Sequence, residues 1–172
     1  MNNKNLKEEF VKYFGEEKWQ EEEILAEISR FACYVCEEYL GIEPLPILFE
    51  DLDGEASRLD VKEQCIFLNR KYKEDIIELL HSALHELEHS FQIQYAYAFN
   101  TQKALRWRRE LESELKVDDP INYVLQEIEI DANAFAAVVL ECELGIYYEI
   151  PNRHIQKLIE VYIASGKILN ED

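Results

Sequence analysis

The sequence predicts an α+β fold, a mostly helical single domain spanning residues 1–172, with a small three-stranded sheet packed on one long helix. Three observations lead there. Apolar residues recur at helical spacing over several long stretches. Three short runs with strand character cluster between residues 45 and 69. A chain of 172 residues, 48% of them hydrophobic and only 5 Gly and 4 Pro, is long enough to bury a core and too apolar to stay disordered.

The N-terminal part, residues 1–41, reads as helical. From Glu21 to Leu40 the apolar positions Ile24, Leu25, Ile28, Phe31, Ala32, Val35 and Tyr39 fall at helical spacing, and Gly41 is a natural stop. Pro44 and Pro46 then force extended chain. The runs Leu45 to Phe49, Ala56 to Val61 and Cys65 to Asn69 follow, with turns at Asp51-Leu52-Asp53-Gly54 and Lys62-Glu63. The last two are close enough to form a hairpin. Helical spacing returns from Lys73 to about Phe99, where Ile76, Ile77, Leu80, Ala83, Leu84, Leu87 and Phe91 make one apolar stripe. A charged helix is expected over Gln102 to Lys116. Asp118-Asp119-Pro120 opens another, running to about Leu144 before Gly145. Pro151 opens the last helix, which ends near Gly166, so residues 151–166 flank a core of residues 45–145.

Charge narrows the function. The net charge is -18, which argues against a nucleic-acid backbone as partner, since phosphate binding needs clustered Lys and Arg. The cluster Arg106-Trp107-Arg108-Arg109 is followed by Glu110, Glu112 and Glu114 and reads as a solvated helix face. No apolar run approaches the roughly 20 residues that span a bilayer. The start, Met1-Asn2-Asn3-Lys4, leads into charged sequence without an apolar signal core, so a cytoplasmic protein is expected. Cys33 and Cys36 form a CxxC inside an apolar run, without the strand-to-helix context of a redox pair or a second pair for a zinc knuckle. Buried free thiols are the expectation.

His85-Glu86-Leu87-Glu88-His89 carries the chemistry. On a helix, residues four apart share a face, so both imidazoles can hold one ion. Stepping about 100° per residue, the pair falls away from the apolar stripe and toward a cleft. Glu86 borders that side, where a carboxylate can take a proton from a polarised water. That is the pattern of a zinc-dependent hydrolase.

A catalytic zinc site usually has three protein ligands. The stretch from Gln126 to Ala136 offers three carboxylates. Glu129 lies at one border of the apolar stripe beside the small residues Ala132 and Ala136, which let another helix approach. Asn133 stacks beside it and could hold a ligand histidine. Asp131, at the other border, and Glu127, which is also four residues from Asp131, stay open as alternatives.

HExxH followed about 40 residues later by Glu129, Ala132, Asn133, Phe135, Ala136 and Ala137 resembles the ImmA/IrrE family of metallopeptidases. The preceding run Cys65 to Asn69 is similar to that family's strand ahead of its active-site helix. The resemblance covers roughly residues 45 to 145. It implies a zincin-like α+β domain with a zinc site of two histidines and one glutamate, acting on a protein or peptide. In some members the substrate is a repressor, here expected to be a separate chain. Glu88 stands where the family usually has a small residue, and Val139-Leu140-Glu141-Cys142 replaces its Leu-Leu-Met-Pro ending. Asn133 stands where Asp is frequent. Glu88 is expected either to alter access to the cleft or to be solvated.

The expected activity is therefore that of a zinc metallo-endopeptidase, with Zn²⁺ on His85, His89 and Glu129 and with Glu86 as general base. Tyr147, Tyr148 and His154 are candidate donors to the oxyanion. His81, four residues before His85, reads as exposed helix surface rather than a substrate contact. A catalytically inactive zinc-binding interaction module of the same fold is the alternative, and a purely structural helical protein in which HExxH is coincidence is a third reading.

Overall fold

The computed structural model describes residues 19–113 and 123–166. The expected helix start at Asp118-Asp119-Pro120 and most of the N-terminal part before Glu21 lie outside them. Helix α1, Glu21–Val35, buries Ile24, Ile28, Phe31, Ala32 and Val35. The Glu23 carboxylate accepts from the Gln20 N–H and closes its first turn. A π-helical turn, Cys36–Leu40, widens its end, and Gly41 stops it at φ 63°, a conformation open to glycine.

Strands β1, Ile47–Glu50, β2, Ser57–Asp60, and β3, Cys65–Asn69, form one mixed sheet in the order β1-β3-β2. β1 runs parallel to β3 with Ile47 opposite Ile66, while β2 pairs with β3 antiparallel with Ser57 opposite Leu68. β3 is central, and four of its five residues are buried, as expected of a strand covered on both faces. The Asn69 side chain donates to the carbonyls of Leu52 and Glu55, which ties down the β1–β2 loop. That loop leads directly to Ser57, a residue of the site.

Helix α2, Ile76–Ala98, is capped by Asp75, whose carboxylate accepts from the Glu78 N–H. One buried stripe was expected. Instead Leu79 to Leu84 and Glu86 to Glu88 are all buried, because α1, the sheet and two later helices surround α2. Those helices are α3, Gln102–Glu112, and α4, Glu127–Val139. Within the basic cluster on α3, Trp107 is fully buried against Tyr95, Ala96, Ala104 and Ile128 and makes a second core, so that face is not simply solvated.

The expected long helix from Asp119 is corrected. Gln126 is extended, with ψ 146°, and α4 begins afresh at Glu127. The Glu110 carboxylate of α3 accepts from the N–H groups of Glu127 and Ile128 and caps that new terminus from another helix. A second π-helical turn, Leu140–Leu144, ends α4 at Gly145. Helix α5, Arg153–Ala164, packs on α4. All four cysteines are free, but only Cys36 and Cys65 are buried. Cys33 and Cys142 are exposed, so the expectation of buried thiols in the CxxC holds for Cys36 and is corrected for Cys33. Burial pushes the Cys36 thiol up to about 12. No helix among the described residues is long and apolar enough to cross a membrane.

Candidate metal centre and cleft

Two helices converge on the site. α2 contributes His85, Glu86 and His89, and the first turn of α4 contributes Glu129. The Nε2 atoms of His85 and His89 are 2.9 Å apart. Glu129 Oε2 is 3.5 Å from His85 Nε2, and Oε1 is 3.3 Å from His89 Nε2. Ligands about 2.05 Å from a tetrahedral ion are separated from one another by about 3.3 Å. The three groups are thus already spaced for one small tetrahedral cation, and this group, with Glu129 buried and both histidines partly buried, could hold a metal ion.

The electrostatics agree. Burial disfavours charge on His89, but the adjacent Glu129 carboxylate, with Glu86 and Gln92, outweighs it and raises the pKa to about 9. Burial would raise the Glu129 carboxyl, yet the hydrogen bonds from both imidazoles hold it far below the usual carboxylate range. A proton on His89 balances Glu129, and a cation held by the same three groups would do so directly.

The orientation of His89 is set from behind. Gln92 is fully buried. Its Nε2 donates to the Ile128 carbonyl at 3.0 Å and to Asp131 at 3.1 Å. Its Oε1, 2.8 Å from His89 Nδ1, must therefore accept. That places the His89 ring proton on Nδ1 and leaves Nε2 free to ligate.

The other sequence candidates separate. Asp131 is a support, not a ligand, since it accepts from Gln92 and from the Tyr162 hydroxyl at 2.7 Å. Glu127 points to the surface and pairs with Arg106 at 3.0 Å. Asn133 does not hold a ligand histidine, because its side chain donates to the Glu129 carbonyl one turn back. Gln92 fills that role. Glu88 is neither solvated nor in the cleft. It is 4% exposed beside Asp131 and Lys103, and burial followed by the Asp131 charge raises its pKa well above the ordinary value.

His81 is also buried, at 6% exposure, with its ring stacked 3.9 Å from that of Tyr148. It is not exposed surface, and burial lowers its pKa to about 3. Of the oxyanion candidates, Tyr148 lines the cleft, though its hydroxyl is given to Glu78 at 2.7 Å. Tyr147 is 62% exposed and hydrogen-bonded to Gln156, and His154 is exposed at the start of α5.

Two cavities of about 410 and 430 Å³ flank the group and share Glu55, Ser57, His85, Glu86, Tyr123 and Glu129 in their walls. One arm continues over Glu78, His81, Ser82 and Tyr148. The other continues over Leu59, Val61, Ile93, Leu111 and Ile128. Glu86, 7% exposed, borders both, and Ser57 donates to its Oε1 at 2.7 Å. Tyr123 overhangs the same point with its hydroxyl directed at Glu129. Burial and then that carboxylate raise its pKa, so it keeps its proton.

Sequence reasoning missed Ser57, Gln92 and Tyr123. Gln92 had a local signal, one turn after His89. The other two reach the site only through tertiary packing. No family model, curated protein or solved structure matches this chain.

Proposed function

We propose that this chain is a zinc-dependent endopeptidase with a zincin-like arrangement, as its resemblance to the ImmA/IrrE family implies. A bound Zn²⁺ would supply a Lewis acid that acidifies water and polarises a peptide carbonyl. His85, His89 and Glu129 hold it. Glu86, fixed by Ser57, takes a proton from water and passes it to the departing amine. Tyr123, protonated and hydrogen-bonded to Glu129, turns its hydroxyl from that carboxylate to the oxyanion once a cation takes the Glu129 charge, in place of the candidates expected from sequence.

The observation that carries this reading is Glu86. A buried carboxylate that the ligand group does not require stands at the junction of both arms of the cleft. Structural zinc sites close with four protein ligands, whereas this group offers three among the described residues and borders open space. A regulatory protein, such as a separate repressor chain, is the substrate the resemblance suggests.

Elemental analysis and a cleavage panel test it together. Wild-type protein should carry one equivalent of zinc and show chelator-sensitive proteolysis. Glu86→Gln should keep the zinc and lose at least about 100-fold in kcat, in line with general acid–base catalysis. Stoichiometric zinc without cleavage of any protein in the panel would favour the inactive module. Absence of stoichiometric metal would leave a helical scaffold only.

A further inference from the structure

Among the described residues, every charged side chain lining the arm over Tyr148 is acidic. They are Glu55, Glu78, Glu86 and Glu129. Glu129 and Glu86 have assigned roles, which leaves Glu55 at the mouth and Glu78 in the wall. An acid in the first turn of a helix is commonplace, because it complements the helix dipole. Glu78 does more than that. It lies seven residues before His85, two turns up the same face of α2, about 10 Å along the axis. Its carboxylate is partly buried, accepts from Tyr148, and forms no salt bridge with a described cation.

Beside it, His81 lines the same cavity and is nine-tenths buried; its ring bonds to the Asn133 backbone, and its Nε2 has no hydrogen-bond partner among the described residues. The Tyr148 hydroxyl is already spent on Glu78. The charge left unbalanced at this end of the arm is therefore that of the Glu78 and Glu55 carboxylates, which accept and do not donate. A ligand that fits must bring several donors and positive charge, while its stem lies against the stacked rings of His81 and Tyr148.

We propose that this arm is a specificity pocket for a basic side chain, so that the preferred substrates are peptides with lysine or arginine flanking the scissile bond. The inference rests on the peptidase reading and narrows it to a substrate class. The dimensions suit it. A lysyl or arginyl stem spans most of the distance from a residue at the metal group to Glu78, whereas the other arm mixes apolar Leu59, Ile93 and Leu111 with Arg58 and Glu110 and so offers no such uniform charge.

Three peptidyl hydroxamates on the zinc-loaded protein provide the test, because they bind through the ion and do not require turnover. They carry lysine, norleucine or glutamate at the flanking position. The lysyl compound should bind at least about 10-fold tighter than the norleucyl one, and the glutamyl one weakest. Glu78→Gln, which can still accept from Tyr148, should collapse the lysine-to-norleucine ratio toward one with zinc content unchanged. Glu78→Lys should invert the order of the lysyl and glutamyl compounds. Equal affinities in the wild type, or a preference that survives Glu78→Gln, overturn the proposal. Lack of binding by all three overturns it together with the open metal position that the peptidase reading requires. Cleavage without a basic preference removes the pocket alone, while a basic preference in hydroxamate binding without cleavage keeps the pocket and removes the peptidase.

Discussion

Gln92 decides what His89 can do. Its amide nitrogen is committed to two acceptors on α4, so its oxygen faces the imidazole and selects the tautomer that ligates. Gln92→Ala removes that constraint and leaves two buried acceptors without their donor. Metal affinity, measured by competition with a chromogenic chelator, should fall about 10- to 100-fold. Protonation gives a second expectation. His89 in the metal-free protein is raised to about 9 from an ordinary value of 6.5. A raised histidine contributes stability that is fully present below 6.5 and lost as pH rises toward 9. The urea midpoint of the metal-free protein should therefore decline across that window from this group, and the same interval should see metal affinity climb as the competing proton leaves. At this scale the sequence was legible where the relation was local. Two histidines four apart on a helix share a face wherever the helix sits. His81 and Glu88 were misread because their burial depends on Tyr148 and Asp131, residues distant in sequence that no helical wheel includes.

The placement of Glu129 depends on where α4 begins. Read from sequence, the acidic Asp118-Asp119-Pro120 looked like the start of one long helix. Instead the chain starts afresh at Glu127, because α3 delivers the Glu110 carboxylate to the first free N–H groups. This puts Glu129 in the first turn, where the helix dipole favours its negative charge. Glu110→Ala should cost about 1 kcal/mol, as the loss of a cap does, and should weaken metal binding as the first turn frays. Urea denaturation and chelator competition on the same variant check both halves. The three strands and α1, by contrast, fell close to their expected positions. Their boundaries are marked by prolines, glycines and turn residues that act locally, whereas the cap of α4 comes from another helix.

For the molecule as a whole, an ion on the His-His-Glu group would link metal binding to folding. An ion that binds only the native arrangement stabilises it by about 4 kcal/mol when its free concentration is about 1,000 times Kd. Stripping the ion with a chelator should lower Tm by several degrees, and Glu129→Gln should abolish most of the difference between loaded and stripped protein. Leu87→Ala gives the contrasting case. Leu87 is fully buried, and its truncation should cost about 2–5 kcal/mol with or without the ion.

The Tyr162 hydroxyl on α5 donates to Asp131, Asp131 accepts from Gln92, and Gln92 accepts from His89. Helix α5 lends no side chain to either arm, yet it terminates this relay. Tyr162→Phe takes away only an oxygen, and the prediction is a protein that melts nearly as before but releases its ion several-fold faster. Stopped-flow chelation would time that release. Damage on α5 would then be reported at the His-His-Glu group first, as a protein that has lost its grip on an ion while still folded.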